Sequence, residues 1–173
     1  MTMNIDHILS SLIYLGSCFA VFAVGHLVFI LFRRSYNIKD ELVEKDNVAF
    51  ALVLCGYYLG LTFSIGGVIA GPSAGLENDL IDMLIYGSLA IVLLNLSALI
   101  NNRFILSEFD IRKEILQDQN CGTGVVECAV FLATGLNIYG ALFGEGGSIF
   151  TAISFWALGQ TILVLVGKYY NLI

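Results

Sequence analysis

Residues 36–71, YNIKDELVEKDNVAFALVLCGYYLGLTFSIGGVIAG, are read again at 109–144 as FDIRKEILQDQNCGTGVVECAVFLATGLNIYGALFG. The offset is 73 positions and the match needs no gap. Nine pairs are identical: Ile38/Ile111, Glu41/Glu114, Asn47/Asn120, Val53/Val126, Cys55/Cys128, Leu59/Leu132, Ile65/Ile138, Gly67/Gly140 and Gly71/Gly144. Most others are close in chemistry, such as Tyr36/Phe109, Lys39/Arg112, Leu42/Ile115 and Val43/Leu116. Each copy passes from a charged amphipathic stretch into a long apolar segment. A unit repeated at this spacing in an apolar chain predicts a membrane bundle built by duplication.

Working outward, the whole chain fits that class. Of 173 residues, 58% are hydrophobic and 13% charged, and the mean hydropathy is +0.85. Five stretches, roughly 8–32, 47–71, 80–102, 121–144 and 148–167, are long and apolar enough to cross about 30 Å of hydrocarbon as helices. Too little chain remains for a soluble domain. The expectation is an all-α integral membrane protein, a single membrane domain over 1–173. Repeat units 6–71 and 79–144 would be parallel copies of a two-helix hairpin, and 148–167 an extra C-terminal helix covering a side the repeats leave open. The first apolar segment is too long for a signal-peptide core and has Arg33 and Arg34 after it rather than before, so it reads as a retained span.

Charge sets the expected orientation. The eight basic residues, Arg33, Arg34, Lys39, Lys45, Arg103, Arg112, Lys113 and Lys168, all fall on one side of the five spans. The positive-inside rule puts loops 33–46 and 103–120 and the C-terminus in the cytoplasm, with the N-terminus outside. The outer side carries only acids: Asp6, Glu77, Asp79 and Glu145, with Asp82 just inside the third span. The loops mix both signs, so the net charge of −6 suggests neither nucleic-acid binding nor a polybasic lipid switch. Cys18, Cys55, Cys121 and Cys128 have no CxxC or Cys/His neighbourhood, which argues against a disulfide framework or a metal site.

Each loop predicts a short interfacial helix, one with Ile105, Phe109, Arg112 and Leu116 on its apolar face, the other with Ile38, Leu42 and Lys45. Asp46–Asn47 and Gln119–Asn120 stand where an N-cap belongs. The alternative for Asn47 and Asn120 is a polar site at the cytoplasmic mouth. Gly56-x3-Gly60, Gly67-x3-Gly71 and Gly140-x3-Gly144 predict close helix packing. Pro72 ends the second span, while Trp156 and the pair Tyr169–Tyr170 read as interfacial anchors.

Lys45-Asp46-Asn47-Val48-Ala49-Phe50-Ala51, the Gly-rich segment through Gly71 and the Asp82-Met83-Leu84 opening of the third span together resemble the bacterial "domain of unknown function 350" membrane family. The Asn120 segment with Gly135-Leu136-Asn137 is similar to that family's closing element. The resemblance spans roughly residues 8–144. It implies a small multi-span inner-membrane protein with an internal duplication and no assigned activity. Two features depart from the family pattern. Asn95 stands midway along the third span where a glutamine is expected, and Gly rather than Ala follows Asn120.

Ionisable groups inside a span are costly, and each is a functional hypothesis. Glu127 and His26 qualify. Each lies seven residues from the basic side of its span, so the two are expected to meet at one level. The repeat equivalents of Glu127 and His26 are Leu54 and Leu99, so charge enters where the duplication breaks. The functional reading is a proton- or cation-handling site with Glu127 as titrating group and His26 as relay. The structural reading is a packed, paired Glu127 and a His26 bonded to backbone. Asn95, Asn137 and Ser64 join as a candidate polar lining; Ser64 and Asn137 are repeat equivalents. No nucleophile elbow, zinc-binding HExxH, phosphate loop or haem pair is present, so the chain reads as a non-enzyme without a cofactor. The leading expectation is a homo-oligomeric channel or transporter for an ion, a proton or a small solute. The alternative is a non-transporting scaffold or accessory subunit that binds a membrane or cytoplasmic protein partner.

Overall fold

The computed structural model describes residues 5–34, 36–107, 110–144 and 147–170. Phe109, Glu145 and the side chains of Asp6 and Tyr170, all named above, lie outside the described residues. The described residues form six α-helices: α1 (Ile5–Phe32), α2 (Val48–Ile69), α3 (Leu76–Phe104), α4 (Ile111–Leu116), α5 (Cys121–Leu142) and α6 (Ile149–Tyr170). A π-helical turn, Asp40–Glu44, precedes α2. All but α4 are long and apolar enough to cross a membrane. The chain is therefore an all-α membrane protein with five candidate spans, as the sequence predicts. By topology, Arg33, Lys45, Arg103, Arg112 and Lys168 cluster at one end of the bundle, here called the basic end. Glu77, Asp79 and Asp82 lie at the other.

Both loops at the basic end use the same chemistry to start the next helix. The Asn47 carboxamide oxygen accepts from Phe50 N at 3.0 Å, and that of Asn120 accepts from Gly122 N at 2.9 Å. These bonds satisfy amides that a helix start otherwise leaves open. The residue before each cap turns left-handed, Asp46 at φ 50° and Gln119 at φ 48°. That turn folds the loop back on itself. Asn47 N then donates to Glu41 O, and Asn120 N to Glu114 O, both at 2.8 Å. Each Asn side chain also donates to that Glu carboxylate at 2.7 Å. The same cap, turn and clasp thus recur 73 positions apart.

The core is the pair α2–α5, which run side by side from the basic end. Their backbones touch along the whole length. A Cβ on Gly56 would strike the Cys128 backbone, one on Gly60 the Phe131 carbonyl, and one on Gly67 would lie 2.8 Å from Tyr139 Cα. From the other side, Gly124 meets Ala49 and Gly135 meets Gly60. In lipid, where apolar burial supplies no drive, this close approach is what holds helices together. Gly71 lies against the ends of both helices, near Leu142 O. The Gly140-x3-Gly144 expectation is corrected: nothing stands within 4 Å of a Cβ on Gly140, and Gly144 ends α5 at φ 85°, a left-handed position that favours glycine. On α5 the packing glycines are Gly124 and Gly135.

Around this pair, α3 packs on both α2 and α5, α1 covers α3 and α2, and α6 covers α5 and α3. Half of the α3 span is buried against 11% of α1 and of α6, so these two form the rim. Three polar bonds fix α6. Trp156 Nε1 donates to Ser97 Oγ at 2.7 Å, Asn137 Nδ2 donates to Phe155 O at 2.9 Å, and Gln160 Nε2 donates to Thr134 Oγ1 at 3.3 Å. Trp156 is therefore a half-buried tie between α6 and α3 rather than an interfacial anchor. The loop helices also differ from expectation. The second is only six residues, and Ile105 is the C-cap of α3 rather than part of its apolar face. Within it the buried residue is Ile115, 1% exposed. The first loop forms the π-turn, with Ile38 and Leu42 packed against the core.

Candidate functional site

Glu127 is 2% exposed, one turn and a half into α5, and faces the basic end of α3. Asn101 Nδ2 donates to its Oε1 at 2.9 Å. The neighbouring Asn102 faces two acceptors, Glu127 Oε1 and Ala98 O, so its nitrogen belongs there; it then donates at 2.5 and 3.2 Å. The guanidinium of Arg33 stands 3.6 Å from Oε2. Arg33 lies just past the end of α1, and its stem carries the charge over the rings of Phe29 and Phe131, 4.5 and 5.4 Å from their centroids. Its aromatic surroundings are favourable for a weakly hydrated, delocalised cation. The carboxylate of α5 is thus held by one guanidinium from the end of α1 and two amides from α3.

The expected partnership of Glu127 with His26 is corrected. The described contacts place His26 Nδ1 2.5 Å from the Tyr58 hydroxyl. The cause is packing: α1 lies on α2 and α3, which stand between it and α5. A short imidazole reaches only α2, whereas the long arginine at the helix end passes beneath. Nor do Ser64 and Asn137 share a lining. Ser64 Oγ turns back onto its own helix at Gly60 O, while Asn137 serves the α6 contact described above. Asn95, 4% exposed, donates to Ile91 O at 2.8 Å and to the Tyr57 hydroxyl at 3.4 Å, and its oxygen finds no partner among the described residues. Tyr57 in turn donates to Gly25 O at 2.9 Å, tying α1, α2 and α3 together behind the site. Asn47 is buried and reaches across to Ile115 O at 2.8 Å, whereas Asn120 is exposed and holds only its own loop.

A cavity of about 240 Å³ opens beside the ion pair, lined by Phe32, Arg33, Tyr36, Asn95, Ala98, Leu99, Asn102, Ile111 and Arg112. Two residues that hold Glu127, Arg33 and Asn102, thus also face the cavity. Burial pushes the Tyr36 phenol above its ordinary range, so at neutral pH its hydroxyl carries a proton to donate. Arg33, Asn101, Asn102, Tyr36 and Arg112 escaped the sequence reading as site residues. One signal was available: Asn95, Ala98, Leu99 and Asn102 recur at helical spacing, which puts two amides on one face of α3.

The sequence model of Domain of Unknown Function (DUF350) matches residues 3–142. The chain belongs to this family. The match takes in α1 to α5 and ends where α5 ends. Among curated proteins the chain is similar to a UPF0719 transmembrane protein of Aquifex aeolicus (strain VF5), 27% identical over 155 residues. That alignment covers 88% of this chain and 55% of the relative, so the chain spans about half the length of the curated protein it matches. No solved structure matches the chain. This DUF350 member is thus a multi-pass membrane protein of a family without an assigned activity.

Proposed function

We propose that this DUF350 protein moves a small ion, proton or solute across the bacterial inner membrane, with the Arg33–Glu127 pair as its working centre. The observation that carries this reading is a buried carboxylate inside a span, Glu127, paired with Arg33 at the end of α1, whose guanidinium and an accompanying asparagine line a cavity at the basic end. A purely structural charge pair is an expensive way to pack helices in lipid, and intramembrane charges mark ion and proton pathways. By the positive-inside rule the basic end is cytoplasmic and the N-terminus outside. The tightly closed α2–α5 seam leaves no lumen between those helices in one copy, which favours a homo-oligomer in which copies meet through the rim helices α1 and α6. The 73-residue duplication is part of the proposal, supported by the recurring cap-and-clasp of Asn47 and Asn120.

Proteoliposomes under a pH gradient or with an ion-selective dye test the function. Protein-dependent flux that falls in Glu127→Gln is the expected result. Flux equal to that of empty liposomes would sink the proposal.

One observation favours the alternative, a scaffold or accessory subunit. The α2–α5 seam is backbone on backbone and leaves no lumen between those helices. Native co-purification tests it: a stoichiometric partner with no flux supports the scaffold, and a partner-free species with flux excludes it. The absence of a nucleophile or base arrangement in the sequence keeps an enzymatic role out of the proposal.

A further inference from the structure

We infer that the groove between the basic end of α1 and the π-turn is a binding site for one anionic phospholipid. The site is separate from the cavity beside Glu127, which it meets only at Tyr36, and it does not require transport.

The groove holds about 740 Å³. One wall is a stripe of α1, His26 and Ile30, continued by Arg34 just past the helix end; each is four residues from the next. The other wall is the loop, through Ile38, Lys39, Leu42 and Val43. Along the sequence this loop mixes both signs of charge, but the fold separates them. Arg34 and Lys39 line the groove, and no carboxylate does. Glu41 is buried and paired with Lys45 at 2.6 Å, and Asp40 and Glu44 also act on Lys45. The charges that act on Tyr36 are Arg33, Arg112, Glu127 and Asp110, two cations against two acids, so that neighbouring quartet is balanced. Neither Arg34 nor Lys39 makes an ion pair among the described residues. Two cations on one wall edge recruit a phosphate-type anion, which takes charge-assisted hydrogen bonds from both.

Depth decides between a soluble anion and a lipid. His26 lies about 12 Å from Arg34 along α1, at 1.5 Å per residue, so the groove reaches well into the span. Between those ends its walls are apolar, and Leu27, Leu31 and Val43 stand exposed beside it. A soluble anion makes no use of an apolar wall within the membrane. A phospholipid lays an acyl chain along it and leaves its phosphodiester at Arg34 and Lys39. A zwitterionic headgroup brings an ammonium that the same two cations repel, so the fit is to an anionic lipid.

The experiment uses the full chain in nanodiscs of phosphatidylcholine with phosphatidylglycerol. Native mass spectrometry of the released protein reports which lipid stays bound. Phosphatidylglycerol retained above its share of the disc is the expected result. Arg34→Gln/Lys39→Gln is the test variant, since both side chains are exposed. Arg103→Gln/Lys113→Gln removes equal charge at exposed positions of the same end, outside the groove, and serves as control. Loss of both groove cations should lower the ratio of retained phosphatidylglycerol to phosphatidylcholine about tenfold or more, with the control within about twofold of the unaltered protein. Val43→Asp, also at an exposed position, keeps both cations but sets an acid in the groove, and should lower the ratio too. Soluble glycerol phosphate in excess should leave the lipid in place. Retention of the two lipids in the proportions of the disc, equal loss in test and control, or displacement by glycerol phosphate overturns the inference.

Discussion

Glu127 is the residue on which the account turns. As the lone acid in its apolar segment, where the other copy has Leu54, it was legible in the sequence as a place where packing alone does not explain the residue. Its partner was not legible. Arg33 counts in the sequence as one of eight topology markers, and only the fold shows that a side chain past the end of α1 can reach α5. A buried pair has a specific energetic signature. Removing one member leaves a buried charge and costs about 3–5 kcal/mol, while replacing both by apolar groups is neutral or stabilising. Glu127→Leu and Arg33→Met should therefore each lower the thermal midpoint of the purified protein. The double variant should lose less than the two single losses added together, although Asn101 and Asn102 lose their acceptor in it, and a double variant with additive losses would contradict the pairing. Tyr36, in the same cavity, carries a pH prediction. Burial makes the folded state hold the phenol proton more tightly than the unfolded chain. Its contribution to stability is complete below about pH 10, the ordinary tyrosine value, and is lost as pH rises through the higher folded value. A melting series from pH 8 to 11 should show the fall above pH 10, blunted in Tyr36→Phe.

At the scale of elements, the α2–α5 pair is decided by glycine position rather than glycine count. GxxxG spacing in the sequence picks out Gly56, Gly60 and Gly67 correctly but also picks Gly140 and Gly144, which face open space or end the helix. Spacing along one helix cannot tell which face meets a neighbour. Gly135 was hidden because it belongs to no GxxxG pair, yet it meets the α2 backbone at Gly60. The contrast is measurable. Gly135→Ala would push a methyl into Gly60 and should destabilise by about 1–3 kcal/mol, the usual cost of overpacking. Gly140→Ala has room and removes a glycine from a helix interior, so it should be neutral or gain up to about 1 kcal/mol. Denaturation in mild detergent with circular dichroism compares the two, and equal losses would refute the described seam. The loop clasp was half legible. Helix-start chemistry fixes the caps of Asn47 and Asn120, but not that Asn47 is buried and reaches Ile115 of the other loop.

For the whole molecule, hydropathy and charge made the spans and their common basic end readable, because lipid leaves the backbone few alternatives to helices. Which spans lie inside the bundle was partly readable: the recurring glycines mark the second and fourth spans, α2 and α5, as the central close-packed pair, whereas the equal burial of α3 was hidden because all five spans are comparably apolar. That order places Glu127 in the interior and carries Arg33 to it. The central claim is that the ion pair works and does not merely hold helices together. The double variant Arg33→Met/Glu127→Leu separates these two roles, because it removes both charges and leaves neither one buried alone. Flux in proteoliposomes of the double variant, against the unaltered protein at equal density, is the decisive measurement. The account expects a folded, stable protein with flux at the level of empty liposomes. Flux equal to that of the unaltered protein would contradict it.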